Sequence, residues 1–114
     1  MSLKSLFLSL VLVLTPALAV GQTLSQTGCQ LIASAAAHAV MEAQGKEPKG
    51  STKQTLEMMF PREGDPGKFY VLVDYLIEKY QKLPKAIPDK VFQVEYARCV
   101  KAEGEIEKLL PQRT

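Results

Sequence analysis

A chain of 114 residues is long enough for one small domain and no more. Its 14 basic and 12 acidic side chains leave a formal net charge of +2, and lysines and glutamates are interspersed without a basic stripe or acidic tail, which argues against a nucleic-acid surface. Two cysteines and one histidine, at their spacings, are too few ligands for a metal site, and no motif calls for a cofactor.

The N-terminus reads as an export signal. Lys4 supplies a short positive region, Leu6 to Leu14 is an uncharged apolar run, and Pro16 precedes the small-x-small sequence Ala17-Leu18-Ala19. The run stops well short of the ~20 apolar residues that a membrane-spanning helix needs. Cleavage after Ala19 makes residues 1–19 the signal peptide and 20–114 a single helical domain; Ala19-Val20-Gly21 fits cleavage after Gly21 equally well. Removing Lys4 lowers the net charge by one, so the expected product is nearly neutral and has no stable membrane span. Its expected location is periplasmic or secreted.

Four helical segments follow. The first runs from Thr23 to Gln44, opened by a T-x-x-Q capping box with Gln26 and closed by Gly45 as a left-handed cap. Cys29, Ile32, Ala33, Ala36, Ala39, Val40 and Ala43 share one face, and Gln30, Ser34, His38 and Glu42 the other. So many alanines let a second helix approach closely. After the Lys46-Glu47-Pro48-Lys49-Gly50 linker, Ser51 and Gln54 form a second capping box. It opens a short helix that ends at Phe60 ahead of Pro61, with Leu56, Met59 and Phe60 inward.

Arg62-Glu63-Gly64-Asp65 makes a polar turn in which Asp65 caps and Pro66 begins the third helix. That helix, Pro66 to Leu83, carries the strongest stripe: Phe69, Leu72, Val73, Leu76, Tyr80 and Leu83, with Ile77 at its edge. Pro84 and Pro88 bracket a stiff connector. Asp89 then caps a fourth helix on which Phe92, Tyr96, Cys99, Ala102, Ile106 and Leu110 align, and Gly104 interrupts its final turn. No segment alternates as a strand does. The expected class is a compact all-α, four-helix domain.

Two cysteines in an exported chain pair with each other, structurally rather than as a redox pair, since there is no C-x-x-C. Cys29 and Cys99 lie 70 positions apart, each on the apolar face of its own helix. A bridge between them clamps the first helix to the last. Lipidation at Cys29 is disfavoured because Gln26 is polar where a lipoprotein signal has an aliphatic residue, and the apolar run is distant.

The remaining chemistry is sparse. His38 is expected on the solvated face beside Ser34 and Glu42; a catalytic role needs a cleft placing it next to Glu42 and a third polar group. Glu95 and Glu103 each lie four residues from Cys99 and fall toward the apolar side, with Arg98 and Lys101 near. Eight residues of helix separate them by about 12 Å, too far to share a substrate bond, so both read as carboxylates at the edge of the core. Leu31, Met58, Val71 and Tyr75 fall off the main stripes as exposed apolar residues.

Cys29 opening an alanine run that ends at Gly45, the segment Tyr75-Leu76-Ile77-Glu78-Lys79-Tyr80, and Ile87-Pro88-Asp89 opening a helix that ends in Cys99 together resemble the small two-cysteine exported helical proteins of Gram-negative bacteria. More distantly the arrangement is similar to periplasmic acid-stress chaperones and to helical immunity proteins of type VI secretion. These resemblances imply a single-disulfide helical domain that binds other proteins, and carry over no functional residue beyond the two cysteines. The expected function is therefore a non-enzymatic exported protein binding another macromolecule, as chaperone, inhibitor or immunity protein. The alternative is a small-ligand or lipid carrier whose cavity is enclosed by Ile32, Ala36, Leu72 and Leu76.

Overall fold

Alanine sets the architecture. Helix α1 (Gln26–Ala43) buries Ala33, Ala35, Ala36, Ala37 and Ala39 together with Cys29, Ile32 and Val40, so that it is covered on most of its circumference. Small side chains keep the interhelical spacing short, and the larger partners Leu72, Val73 and Leu76 of α3 (Phe69–Gln81) fill the space against them. α1 packs chiefly against α3 and α4 (Pro88–Lys101) and, on another side, against α2 (Ser51–Met59). A single-turn α5 (Ile106–Leu109) plugs Ile106 and Leu109 into the same core, beside α3. The protein is all-α, with four main helices in the order read from the sequence. The computed structural model describes residues 19–20, 23–64 and 68–111. The expected signal segment up to residue 18, the alternative cut at Gly21, and the expected Asp65 cap and Pro66 helix start lie outside the described residues.

The disulfide joins Cys29 of α1 to Cys99 of α4, with Cα atoms 5.6 Å apart and both sulfurs in the core. In the chain-entropy account, closing a loop of this length destabilises the unfolded chain by about 4 kcal/mol. That is a large share of the stability of a chain this small.

Several helix ends differ from expectation. α1 begins at Gln26, because Ser25 is the cap: its hydroxyl accepts the Gly28 N–H at 3.1 Å. Thr23 is not a cap. It lies with Leu24 in a two-residue extended segment, β2 (Thr23–Leu24), paired antiparallel with β1 (Ala19–Val20) and bridged on its other side to Glu105. The Leu24 N–H donates to the Gly104 carbonyl at 2.7 Å, so a backbone pairing outweighs the capping-box pattern. The left-handed Gly45 closes α1 as expected, with the Lys46 and Gly45 N–H groups donating back to the Met41 and Glu42 carbonyls.

The second capping box is also absent. Gly50, with φ +87°, is the N-cap of α2, Ser51 is its first helical residue, and a buried carboxylate from α1 supplies the cap instead. Pro88 takes the first position of α4, so Ile87 rather than Asp89 precedes the helix. The buried stripe of α4 is Val91, Glu95 and Cys99, with Phe92 and Tyr96 stacked and half-buried at its flank. Leu83, expected inward, lies beyond the end of α3 and is exposed.

Candidate functional site

Glu42 was expected among the solvated residues of α1, and its burial shapes the site. In the last turn of α1, it sits where α2 begins and α3 ends. Its carboxylate accepts the Gly50 N–H at 2.8 Å, the Thr52 N–H at 3.0 Å and the Gln81 side-chain amide at 3.0 Å. Burial opposes its ionisation, but hydrogen bonds from Thr52, Gly50 and Gln81 outweigh that and hold the carboxyl below its ordinary value. A carboxylate at a helix N-terminus also meets the favourable end of the helix dipole. Glu42 therefore fixes where α2 starts and how it lies against α1.

The C-terminal end of α2 is held separately. Arg62 makes a two-pronged contact with Asp74 of α3 (3.1 and 2.9 Å), bonds Glu57 of α2 through Nε, and lies 4.5 Å over the Tyr70 ring. The Tyr70 hydroxyl donates to the Phe60 carbonyl. α2 lies along α1 with only Thr52 and Leu56 of its own residues buried.

The space between them is a groove of about 390 Å³, half open to solvent. Leu31 and Ala35 of α1 and Leu56 and Met59 of α2 give it an apolar body. One end is polar: His38 Nδ1 and Glu47 Oε2 lie 2.7 Å apart, with Ser51 beside them. The volume falls in the range of ligand-binding clefts, and so does the combination of apolar walls with a few polar groups. Met59, expected in the core, is 56% exposed on the rim, and neighbouring Met58 is 79% exposed.

The sequence-derived candidates divide three ways. His38 lies on the half-exposed face expected of it, but its partner is Glu47 from the connector and not Glu42. Its one described hydrogen bond is to that carboxylate, which suits holding the ring in place as a recognition group. Glu95 and Glu103 are separated in environment. Glu95 is 2% exposed, accepts the Tyr80 hydroxyl, and has the Arg98 guanidinium 3.9 Å away. Burial first, then this hydrogen bond and the nearby carboxylate charge, push the Tyr80 hydroxyl well above its ordinary value. Glu103 has left the helix, is exposed, and adopts φ +55°; it is not an edge-of-core residue.

A second, shallower groove of about 370 Å³ runs past the disulfide, lined by Leu24, Cys29, Tyr96, Val100 and Gly104 among others. The Gln26 amide crosses it to the Tyr96 hydroxyl at 3.0 Å. Among the described residues no cluster of three His, Cys, Asp or Glu could hold a metal ion, and no helix is long and apolar enough to cross a membrane.

Sequence reasoning missed Glu42 and Glu47 as the residues that build the groove. The one available signal was position: Glu42 lies one turn after Ala39 and two turns after Ala35, on the alanine face and not opposite it. No family model, curated protein or solved structure matches the chain.

Proposed function

We propose that the chain is an exported, non-enzymatic helical protein, periplasmic or secreted, that binds another protein through the groove between α1 and α2. The observation that carries this reading is the groove itself: a mainly apolar cleft of about 390 Å³ between α1 and α2, with α2 tied at its start by Glu42 and beyond its end by Arg62. Leu31 and the exposed Met59 line it, and Met58 next to Met59 is exposed as well. Methionine side chains repack around different apolar shapes at little cost, which suits a surface that receives a partner. The disulfide fits export to an oxidising compartment, as does the apolar N-terminal run followed by Ala17-Leu18-Ala19. Chaperone, inhibitor and immunity roles all use such a surface.

The carrier reading has less support. Ile32, Ala36, Leu72 and Leu76 are buried together in the core, while the open groove lies on another side of α1. Two experiments test the proposal. Fractionation with N-terminal sequencing should find the protein outside the cytoplasm, beginning at Val20 or Gln22; an intact N-terminus in the cytoplasm refutes export. A photo-crosslinker at position 59 should then capture a protein in the native extract that one at the distant exposed position 71 does not. Capture of the same proteins at both positions refutes the groove as the binding surface.

A further inference from the structure

We propose that the connector between α3 and α4 is a second binding surface, separate from the groove, and that it docks on an anionic lipid bilayer with Leu83 and Ile87 dipping among the headgroups.

Charge identifies the partner. Residues 79–90 hold Lys79, Lys82, Lys85 and Lys90 against Asp89 alone, a larger positive excess than the +2 of the whole chain. Two of the four are engaged: Lys82 lies 3.7 Å from Glu78, and Lys79 lies 5.2 Å over the Tyr80 ring. Lys85 and Lys90 are exposed, with no ion pair among the described residues. Leu83 and Ile87 stand among these lysines, and both are exposed. Each lysine beside an anionic bilayer strengthens binding about fivefold, and apolar side chains at the same place add to it by leaving water.

The connector is built to keep its shape. It turns the chain at the end of the bundle away from Cys29, where the Gln44 side chain of the α1 cap donates to the carbonyls of Pro84 at 3.1 Å and Ala86 at 3.0 Å. The Leu83 carbonyl accepts the Ala86 N–H at 3.1 Å, and the Ile87 carbonyl accepts the Val91 N–H at 2.9 Å. Pro84 and Pro88 have no N–H to satisfy. An apolar tip leaves water cheaply only when its backbone polar groups stay bonded, and here the carbonyls of both apolar residues keep their partners inside the protein.

A bilayer suits this tip better than an acidic protein does. Neither Leu83 nor Ile87 lines a described cleft. They lie on an exposed turn, and a fluid surface receives such side chains without a pocket shaped for them. The basic groups are all lysine, whose flexible stem and compact charge follow mobile phosphates, whereas fixed two-pronged pairing with carboxylates favours arginine. No helix among the described residues is long and apolar enough to cross a membrane, so the contact is one of lying on the surface.

The test is flotation of the oxidised protein with vesicles of phosphatidylcholine alone or with about 30% phosphatidylglycerol. Binding should require the anionic lipid and weaken as salt is raised. Lys85→Glu/Lys90→Glu should weaken it at least ~tenfold, and Lys101→Glu at the far end of α4 should leave it nearly unchanged. Leu83→Ser/Ile87→Ser, at constant charge, should weaken it about tenfold, and Val71→Ser near the start of α3 should have no effect. These positions are all exposed, so melting curves should match wild type. The chain has no tryptophan, and Ile87→Trp should therefore show a blue-shifted emission on anionic vesicles that Val71→Trp does not. Equal binding of neutral vesicles, no loss in the serine variant, or no blue shift at position 87 would overturn the proposal. So would a failure to bind either vesicle while a photo-crosslinker at position 87 captures an acidic protein. No residue of the groove is altered, so these outcomes leave the groove reading to its own test.

Discussion

The two sides of α1 are held by different physics. Toward α3 and α4 the contacts are dry and apolar, with Ile32, Ala36, Val40, Leu72, Leu76 and the Cys29–Cys99 bridge in one continuous core. Toward α2 the buried contacts are few, and polar groups at the ends do the holding: Glu42 at one, Arg62 and Tyr70 at the other. Close-packed apolar surface tolerates no opening. Polar anchors fix the ends of α2, few of its side chains are buried, and a groove remains beside α1. The chain thus places its stability on one side of α1 and its open surface on the other.

The largest effect should come from the stapled side. Replacing both cysteines by alanine, or reducing the bridge, should destabilise the protein by about 4 kcal/mol. Circular dichroism should then show a loose or unfolded chain, and an unchanged melting curve would show that the apolar core alone suffices.

Gly104 comes next. Its φ is +73°, and an added Cβ would lie 2.1 Å from the Leu24 carbonyl oxygen. Gly104→Ala must therefore push β2 off the turn and break the Leu24–Gly104 hydrogen bond. We expect a loss of about 2–4 kcal/mol in a urea titration. Gly45→Ala has a strained φ but open space around it, and should cost only about 1 kcal/mol.

These two glycines also mark how far the sequence could be read. Gly45 ends α1 through bonds within five residues of itself, and such local chemistry is visible in sequence. Gly104 was legible only as a break in the fourth helix, because its role depends on Leu24, eighty positions away. The same division runs through the site. The pairing of Cys29 with Cys99 followed from the cysteine count of a chain read as exported and agreed with helical spacing; the buried faces of α1 and α3 followed from that spacing itself, where one period of 3.6 residues decides which side chains face inward. Glu42 did not, since its three hydrogen-bond donors come from the next two helices, and no rule for a single helix predicts a carboxylate capping a different one. Met59 was misplaced for a related reason: spacing puts it on the inner stripe of α2, but that stripe continues from the core at Leu56 into the groove, where Met59 is 56% exposed.

Glu42 gives the third effect. Glu42→Gln keeps the shape and removes the charge, so bonds that were charge-assisted become neutral ones; we expect a loss of about 1–3 kcal/mol. The loss should be local, with faster hydrogen exchange at Gly50 and Thr52 while α3 stays protected. Because the folded carboxyl is held below its ordinary value, its stabilisation is fully present above the unfolded value of about 4.3 and is lost as pH falls through the depressed folded value. The difference between wild type and Glu42→Gln should therefore shrink on acidification and vanish at the lowest pH. A difference that persists there would mean that Glu42 acts by packing rather than by charge.

The smallest effect on stability should come from Glu47, and the contrast with Glu42 separates a scaffold carboxylate from a groove carboxylate. Both belong to the same corner of the molecule, yet Glu42 is buried with three donors, whereas Glu47 pairs with a half-exposed His38. An exposed pair of this kind contributes well under about 1 kcal/mol. Glu47→Gln should leave the melting curve almost unmoved while weakening the hold on the His38 ring and removing the carboxylate that lines the groove. A drop in stability as large as that of Glu42→Gln would show that the polar end of the groove belongs to the scaffold after all.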